Sequence, residues 1–164
     1  MSFLHTRIFV RRLLLGCLVA LAAGCEMPSP GSAASNPRVP VRGKVTAGGV
    51  PVDKCTVQFL PLGSTKGQGG LGNTDQDGNY KMASGTLAGI MPGEYKVRLG
   101  RYIAPNGQPA TTQEELKQTP DVHDSIPPKY SGIDSPLRVT VPEAGGEINI
   151  DIPEKLLPYD EASF

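Results

Sequence analysis

The stretch that decides the fold is Val39–Phe59, VPVRGKVTAGGVPVDKCTVQF. Val39, Val41 and Val45 share one side with Gly43, while Arg42, Lys44 and Thr46 take the other. Successive side chains of an extended strand point to opposite faces, so this two-residue period predicts a strand with one face buried. Ala47–Pro51 reads as a turn, after which Cys55, Val57 and Phe59 alternate with Thr56 and Gln58. Pro61 has no N–H for a sheet ladder and ends this second run.

Downstream the same rhythm returns in short pieces. Gly63–Gly70 reads as loop, Leu71–Thr74 as a short strand, and Asp77-Gly78 as a hairpin turn before Tyr80 and Met82. A turn at Met91–Gly93 feeds Tyr95, Val97 and Leu99, which alternate with Lys96 and Arg98. Leu137, Val139 and Val141 follow, then a turn at Ala144–Gly146, then Ile148, Ile150 and Ile152. About seven short strands, each with one apolar face and separated by Gly and Pro turns, predict an all-β domain of two antiparallel sheets packed as a β-sandwich. The rhythm breaks only at Arg101–Lys129, which holds Pro105, Pro109, Pro120, Pro127 and Pro128 and is too long for a simple hairpin. Thr112 and Glu115 have the spacing of a capping box, which predicts one or two helical turns over Gln113–Gln118. The tail Glu154–Phe164 reads as frayed, with Leu156, Leu157 and Tyr159 available to cover a sheet edge.

Upstream the chain changes character. Arg7, Arg11 and Arg12 precede Leu13–Gly24, LLLGCLVALAAG, which is uncharged and ends in small residues. That order predicts a secretory signal; the apolar run is too short to span a bilayer, which takes about 20 residues. LAAGC, with Ala23 and Gly24 before Cys25, resembles the lipobox of bacterial lipoproteins, although Ala22 stands where leucine is usual. The resemblance implies cleavage before Cys25 and a diacylglycerol on its thiol, with Glu26, rather than Asp, favouring the outer membrane and its periplasmic face over the inner membrane. Glu26–Arg38, EMPSPGSAASNPR, has the composition of a solvated tether. The expected organisation is a signal over 1–24, lipidated Cys25 and tether over 25–37, the β-domain over 38–153 and a tail over 154–164.

The signal holds three of the sixteen basic residues and none of the sixteen acids, leaving the mature chain at a net charge of −3 with no basic stripe. A nucleic-acid partner has no electrostatic footprint here. Only Cys25 and Cys55 remain after cleavage, and a lipidated sulfur cannot pair, so no internal disulfide is expected.

Candidate chemistry is sparse. Asp75, Asp77 and Gly78 begin like a calcium loop but lack a third ligand and the closing glutamate; the same residues satisfy a turn. Asp121, His123 and Asp124 offer one imidazole and two carboxylates, short of the three ligands and shaped cavity of a catalytic zinc. Cys55 falls on the inward side of its strand, as a small core residue or as one half of an intermolecular disulfide. Tyr130, beside Lys129, reads either as a binding anchor or as the aromatic that pins the long loop to the sandwich. No set of residues reads as catalytic, cofactor-binding or metal-binding.

Val41–Pro61, then TDQDGNY (74–80), MPGEYKVRL (91–99), IPPKYSG (126–132) and SPLRVTV (135–141) together resemble small bacterial lipoproteins with a carboxypeptidase-regulatory-like, or transthyretin-like, domain. The resemblance covers roughly Pro37–Pro153 and implies a seven-stranded Greek-key antiparallel sandwich of the transthyretin (prealbumin-like) kind, without catalytic activity. The one enzyme branch of that fold, the hydroxyisourate hydrolases, uses more than one histidine and ends Tyr-Arg-Gly-Ser, whereas this chain ends EASF. The expectation is a non-enzymatic, lipid-anchored envelope protein that meets the membrane through Cys25 and an unidentified envelope protein or polysaccharide through its domain. The alternative expectation is a carbohydrate- or peptide-binding module that uses the 101–130 loop, with His123, Lys129 and Tyr130 as its candidate ligand residues.

Overall fold

A computed structural model of the chain describes residues 38–110, 113–118 and 121–159. The expected signal, Cys25 and the tether lie outside the described residues, as do Thr112 of the capping box and the last five residues. Among the described residues no helix is long and apolar enough to cross a membrane.

The strands of the first half are β1 (Val41–Ala47), β2 (Val50–Pro51), β3 (Thr56–Pro61), β4 (Gly70–Asn73), β5 (Asn79–Lys81), β6 (Ala83–Ser84) and β7 (Leu87–Ala88). Then come β8 (Gly93–Gly100), β9 (Tyr102–Ile103), β10 (Pro109–Ala110), helix α1 (Gln113–Gln118), β11 (His123–Asp124) and helix α2 (Pro128–Ser131). The last strands are β12 (Arg138–Val141), β13 (Gly146–Glu147) and β14 (Ile150–Ile152). One sheet is built on β1, which pairs with β2, β5, β13 and β14; the other runs β12-β8-β3-β4-β6-β7. The predicted all-β fold is what the chain forms.

The alternation read from sequence sorts the core. Val41 and Val45 of β1, Val57 and Phe59 of β3, Tyr95, Val97 and Leu99 of β8, and Ile150 and Ile152 of β14 are all buried in one cluster, joined by Ala47, which reads as turn in the sequence but closes β1. Phe59 meets Tyr95 on its own sheet at 5.7 Å between ring centroids and Tyr80 on the other sheet at 6.4 Å, edge to face. Such aromatic pairs add about 0.5–1.5 kcal/mol beyond the area they bury. The Tyr95 hydroxyl donates to the Met91 carbonyl at 2.7 Å, a bond back to the preceding chain that fixes the entry to β8.

Three expectations are corrected. Pairing is antiparallel through the β12–β7 sheet, but β1 runs parallel to β13 and β14, with Arg42 opposite Glu147 and Val45 opposite Ile150. The purely antiparallel expectation fails there because the chain's end returns to its first strand across the sandwich, a pairing no local turn dictates. Asp77-Gly78 is a turn but not a hairpin: β4 pairs with β3 and β6 in one sheet, β5 with β1 in the other, so the turn carries the chain between sheets. The tail is not frayed over 154–159, where it is bonded to the long loop, as described below.

Between β13 and β14 the ladder is interrupted at Ile148. Its N–H donates to the Arg42 carbonyl at 2.8 Å, while its own carbonyl accepts the buried Tyr80 hydroxyl at 2.5 Å. The Asn149 side chain takes over the Lys44 N–H at 2.8 Å. This inward carbonyl explains Gly43: a Cβ built there would lie 1.8 Å from the Ile148 oxygen. Gly43→Ala is therefore expected to destabilise the fold by on the order of 3 kcal/mol in urea unfolding, since overpacking forces the backbone apart. A loss below about 1 kcal/mol would mean that the Ile148 carbonyl moves aside easily.

Candidate functional site

The long segment after β8 is not a bare loop. Tyr102–Ile103 pairs with Pro109–Ala110 and with His123–Asp124 in a small sheet of its own, closed at one end by an Asn106-Gly107 turn in which the Ala104 N–H reaches the Gln108 carbonyl. The predicted helical turns are present as α1, with Glu114 and Glu115 in its first turn and Lys117 in its last, each sign facing the favourable end of the helix dipole.

Four anchors hold this segment to the sandwich. Arg101 donates from Nε to the Asp53 carbonyl and from Nη2 to the Asp53 carboxylate, both at 2.9 Å, and is itself largely buried. Asp124 Oδ1 accepts the backbone N–H of Arg101 at 2.9 Å and of Ile126 at 3.0 Å; burial raises its pKa above the ordinary carboxylate value despite these bonds. Ile126 and Tyr130 join the main core. Finally, outward-pointing Lys96 and Arg98 of β8 donate to the carbonyls of Ile133 and Ser131, at 2.7 and 2.9 Å.

The sequence-picked residues now have places. Tyr130 is 5% exposed, so its ring is not a surface anchor but the pin that packs the loop. Its hydroxyl donates to Glu154 at 2.5 Å, and Glu154 also pairs with Lys129, whose ammonium lies over the Tyr130 ring. The Lys129 bond holds the Glu154 carboxyl below its ordinary pKa, and Lys129 is held above its own by the same bond. Leu157 N–H reaches the buried Ser125 carbonyl at 2.7 Å, and Tyr159 donates to the Asp121 carbonyl while its ring lies 4.5 Å from that of His123. His123 Nε2 is shielded from solvent and, among the described residues, has no hydrogen-bond partner. Asp121, His123 and Asp124 thus face different neighbours, and among the described residues no group of three or more His, Cys, Asp or Glu could hold a metal.

Asp75 is committed to its turn: Oδ1 accepts the N–H of Asn79 at 2.8 Å and of Asp77 at 3.0 Å, and Oδ2 the Asn79 amide. The Asn79 N–H bond leads in holding its pKa down. Cys55 is fully buried, and burial pushes its thiol up to about 12.

Two of the clefts among the described residues bear on these side chains. The larger, about 720 Å³, lies over the outward side of β1 and β14, where Arg42, Lys44 and Lys81 are balanced by Asp75, Glu147 and Asp151. The smaller, about 240 Å³, lies where the 101–131 segment meets the outward side of β3 and β8, and its polar lining includes Lys54, Gln58, Arg98, Tyr102 and Asp124. Sequence reading singled out only Asp124 of these, because the rest come from three separate strands and a turn that share no motif. Fold and cleft together define a β-sandwich-like domain with a loop-flanked surface cleft.

No family model matches the chain, and no curated protein matches it. Among solved structures the chain is similar to a DUF3823 family protein from Parabacteroides merdae, at 17% sequence identity and a TM-score of 0.36, over 75% of this chain and 47% of that one. The chain spans about half the length of that structure.

The Cys55 environment makes a pH prediction. The folded thiol holds its proton to about 12 against an ordinary value of 9.0, so the unfolded state ionises first. Its contribution is intact below about pH 9 and is lost as pH rises toward the folded value. Urea midpoints are expected to fall over that window, and to fall less in Cys55→Ala. Peptide mapping after iodoacetamide treatment at about pH 8 should find Cys55 unmodified in the native protein and modified in urea; rapid native labelling would contradict the burial.

Proposed function

We propose that the chain is a lipid-anchored cell-envelope protein whose β-domain serves as a non-enzymatic structural or interaction module. The observation that carries the reading is the order of segments: three arginines, a short apolar core, LAAG before Cys25, a Pro- and Ser-rich tether, and then a domain that begins at once, with Val39 paired to Ile90. Two or three acyl chains at Cys25 anchor durably where one binds reversibly. A tether of this composition and length has a root-mean-square reach of roughly 20 Å. The anchor places the module at the outer membrane, facing the periplasm, with an envelope protein or polysaccharide as partner. The finer fold assignment, a seven-stranded Greek-key transthyretin-like sandwich of the carboxypeptidase-regulatory kind, belongs to the same proposal and draws support from the Tyr95 bond to the Met91 carbonyl, of the kind that fixes the corner of such a sandwich.

The non-enzymatic reading is supported by where the reactive side chains are spent. Cys55 is in the core, Asp75 in its turn, and Asp124 in holding two backbone N–H groups. Metabolic labelling with a palmitate analogue is expected to mark the wild-type protein in the outer-membrane fraction and to leave Cys25→Ala unlabelled. Equal labelling of the two would end the anchor proposal.

A second reading, that the 101–130 segment is a carbohydrate- or peptide-binding surface, is favoured by the cleft it forms against β3 and β8. Replacing Gln113–Gln118 with glycine and serine should reduce capture of peptidoglycan or envelope proteins from solubilised envelopes. Unchanged capture would remove the segment from consideration.

A further inference from the structure

We propose that the cleft between β3, β8 and the 101–131 segment binds a carboxylate-bearing sugar residue of an acidic polysaccharide. The proposal rests on the second reading above and adds the chemistry of the ligand. Its first support is charge. Arg98 is half-buried, with Nε on the Ser131 carbonyl and Nη1 only loosely on the Gln58 side chain, at 3.4 Å. Among the described residues no carboxylate lies within ion-pairing distance of Arg98, nor of Lys54 on the same cleft. A guanidinium keeps five donors in a planar fork suited to a carboxylate, so Arg98, which lines the cleft, has donors beyond the two engaged with Ser131 and Gln58. Lys54 is brought to this rim by a left-handed backbone, φ 51°, and no other non-glycine among the described residues has a positive φ. Such a conformation costs about 1–3 kcal/mol and concentrates at functional positions.

The second support separates a sugar acid from a bare anion. Asp124 also lines the cleft, its Oδ2 beside Gly100, which lies two positions along β8 from Arg98, and the Arg98 charge acts on that carboxylate without pairing with it. A carboxylate at that end would repel a phosphate or a compact polyacid but accepts hydroxyl hydrogens, as Gln58 and Thr56 also can. Tyr102, 42% exposed, adds an aromatic surface on which a pyranose ring can lie. A ligand with one carboxylate, several hydroxyls and an apolar ring face meets all of these groups at once. At about 240 Å³ the cleft falls below the roughly 300–1,000 Å³ of pockets that enclose drug-sized ligands, which suits a single residue of a longer chain.

Gly100 supplies the clean perturbation. A Cβ there would meet Asp124 and Tyr102 atoms at no less than 3.8 Å, ordinary contact, so the β-carbon of Gly100→Thr is accommodated and its γ atoms extend the side chain beside these two cleft residues. The test is titration of the full mature protein, in detergent, with a panel of galacturonate, glucuronate and mannuronate oligosaccharides, their carboxyl methyl esters, and poly-glutamate. At least one uronate is expected to bind, with affinity falling on the order of tenfold or more on esterification, in Arg98→Gln and in Gly100→Thr. The exposed Lys54→Gln should weaken binding in the same direction, and matched thermal melting of all variants excludes misfolding as the cause. Equal binding of the esters, or of poly-glutamate, would overturn the sugar-acid proposal while leaving the segment as a binding surface. Failure of every uronate would overturn it too, and the envelope capture experiment would then decide the broader reading separately.

Discussion

The first long strand is the constraint on which the remainder hangs. Four other strands hydrogen-bond to β1, two from the beginning and middle of the chain and two from its end. For the last two to arrive, Ile148 must turn its carbonyl inward, and that carbonyl needs both an empty Cβ position at Gly43 and a donor, which Tyr80 provides from β5. A buried carbonyl without a partner costs about 1–3 kcal/mol, so the three residues form a single device. Tyr80 then touches Phe59, and Phe59 touches Tyr95, which ties the interruption in one sheet to the centre of the other.

Around that core the chain changes sheets repeatedly. β1 and β2 lie in one, β3 and β4 in the other, β5 returns, β6 to β8 go back, and the last crossing falls between β12 and β13. Short turns with glycine at positive φ, such as Gly78, make these crossings compact. The long 101–131 segment is the exception: it stays by β8, where the Arg101 N–H donates to Asp124 within it, and Glu154 and Tyr159 of the tail bond to it. Tail, loop and sheet are therefore one bonded unit, and the small cleft lies where segment and sheet meet.

That bonding also says why the candidate residues divide as they do. Tyr130, Asp124 and Asp75 attract notice as polar or aromatic groups in loops, yet each is used to hold backbone or tail in position. Arg98 and Lys54 attract none, since one sits in an alternating strand and the other in a turn, but both line the small cleft and neither has a carboxylate within ion-pairing distance among the described residues.

Local rules determined a good deal by themselves. The inward sides of β1, β3, β8 and β14, the helix at Gln113–Gln118 and the turn at Asp77-Gly78 follow from period, capping spacing and turn chemistry, all of which act over a few residues. The Asn106-Gly107 turn was equally readable, a signal of the same kind. Tertiary structure alone decided the parallel return of β13 and β14 to β1, the sheet change at Gly78, the capture of the tail by Tyr130 and Lys129, and the meeting of Lys54, Arg98 and Asp124 in one cleft. The physical reason is range: alternation fixes which way a side chain points, but which strand lies beside it depends on how two faces pack across the whole domain.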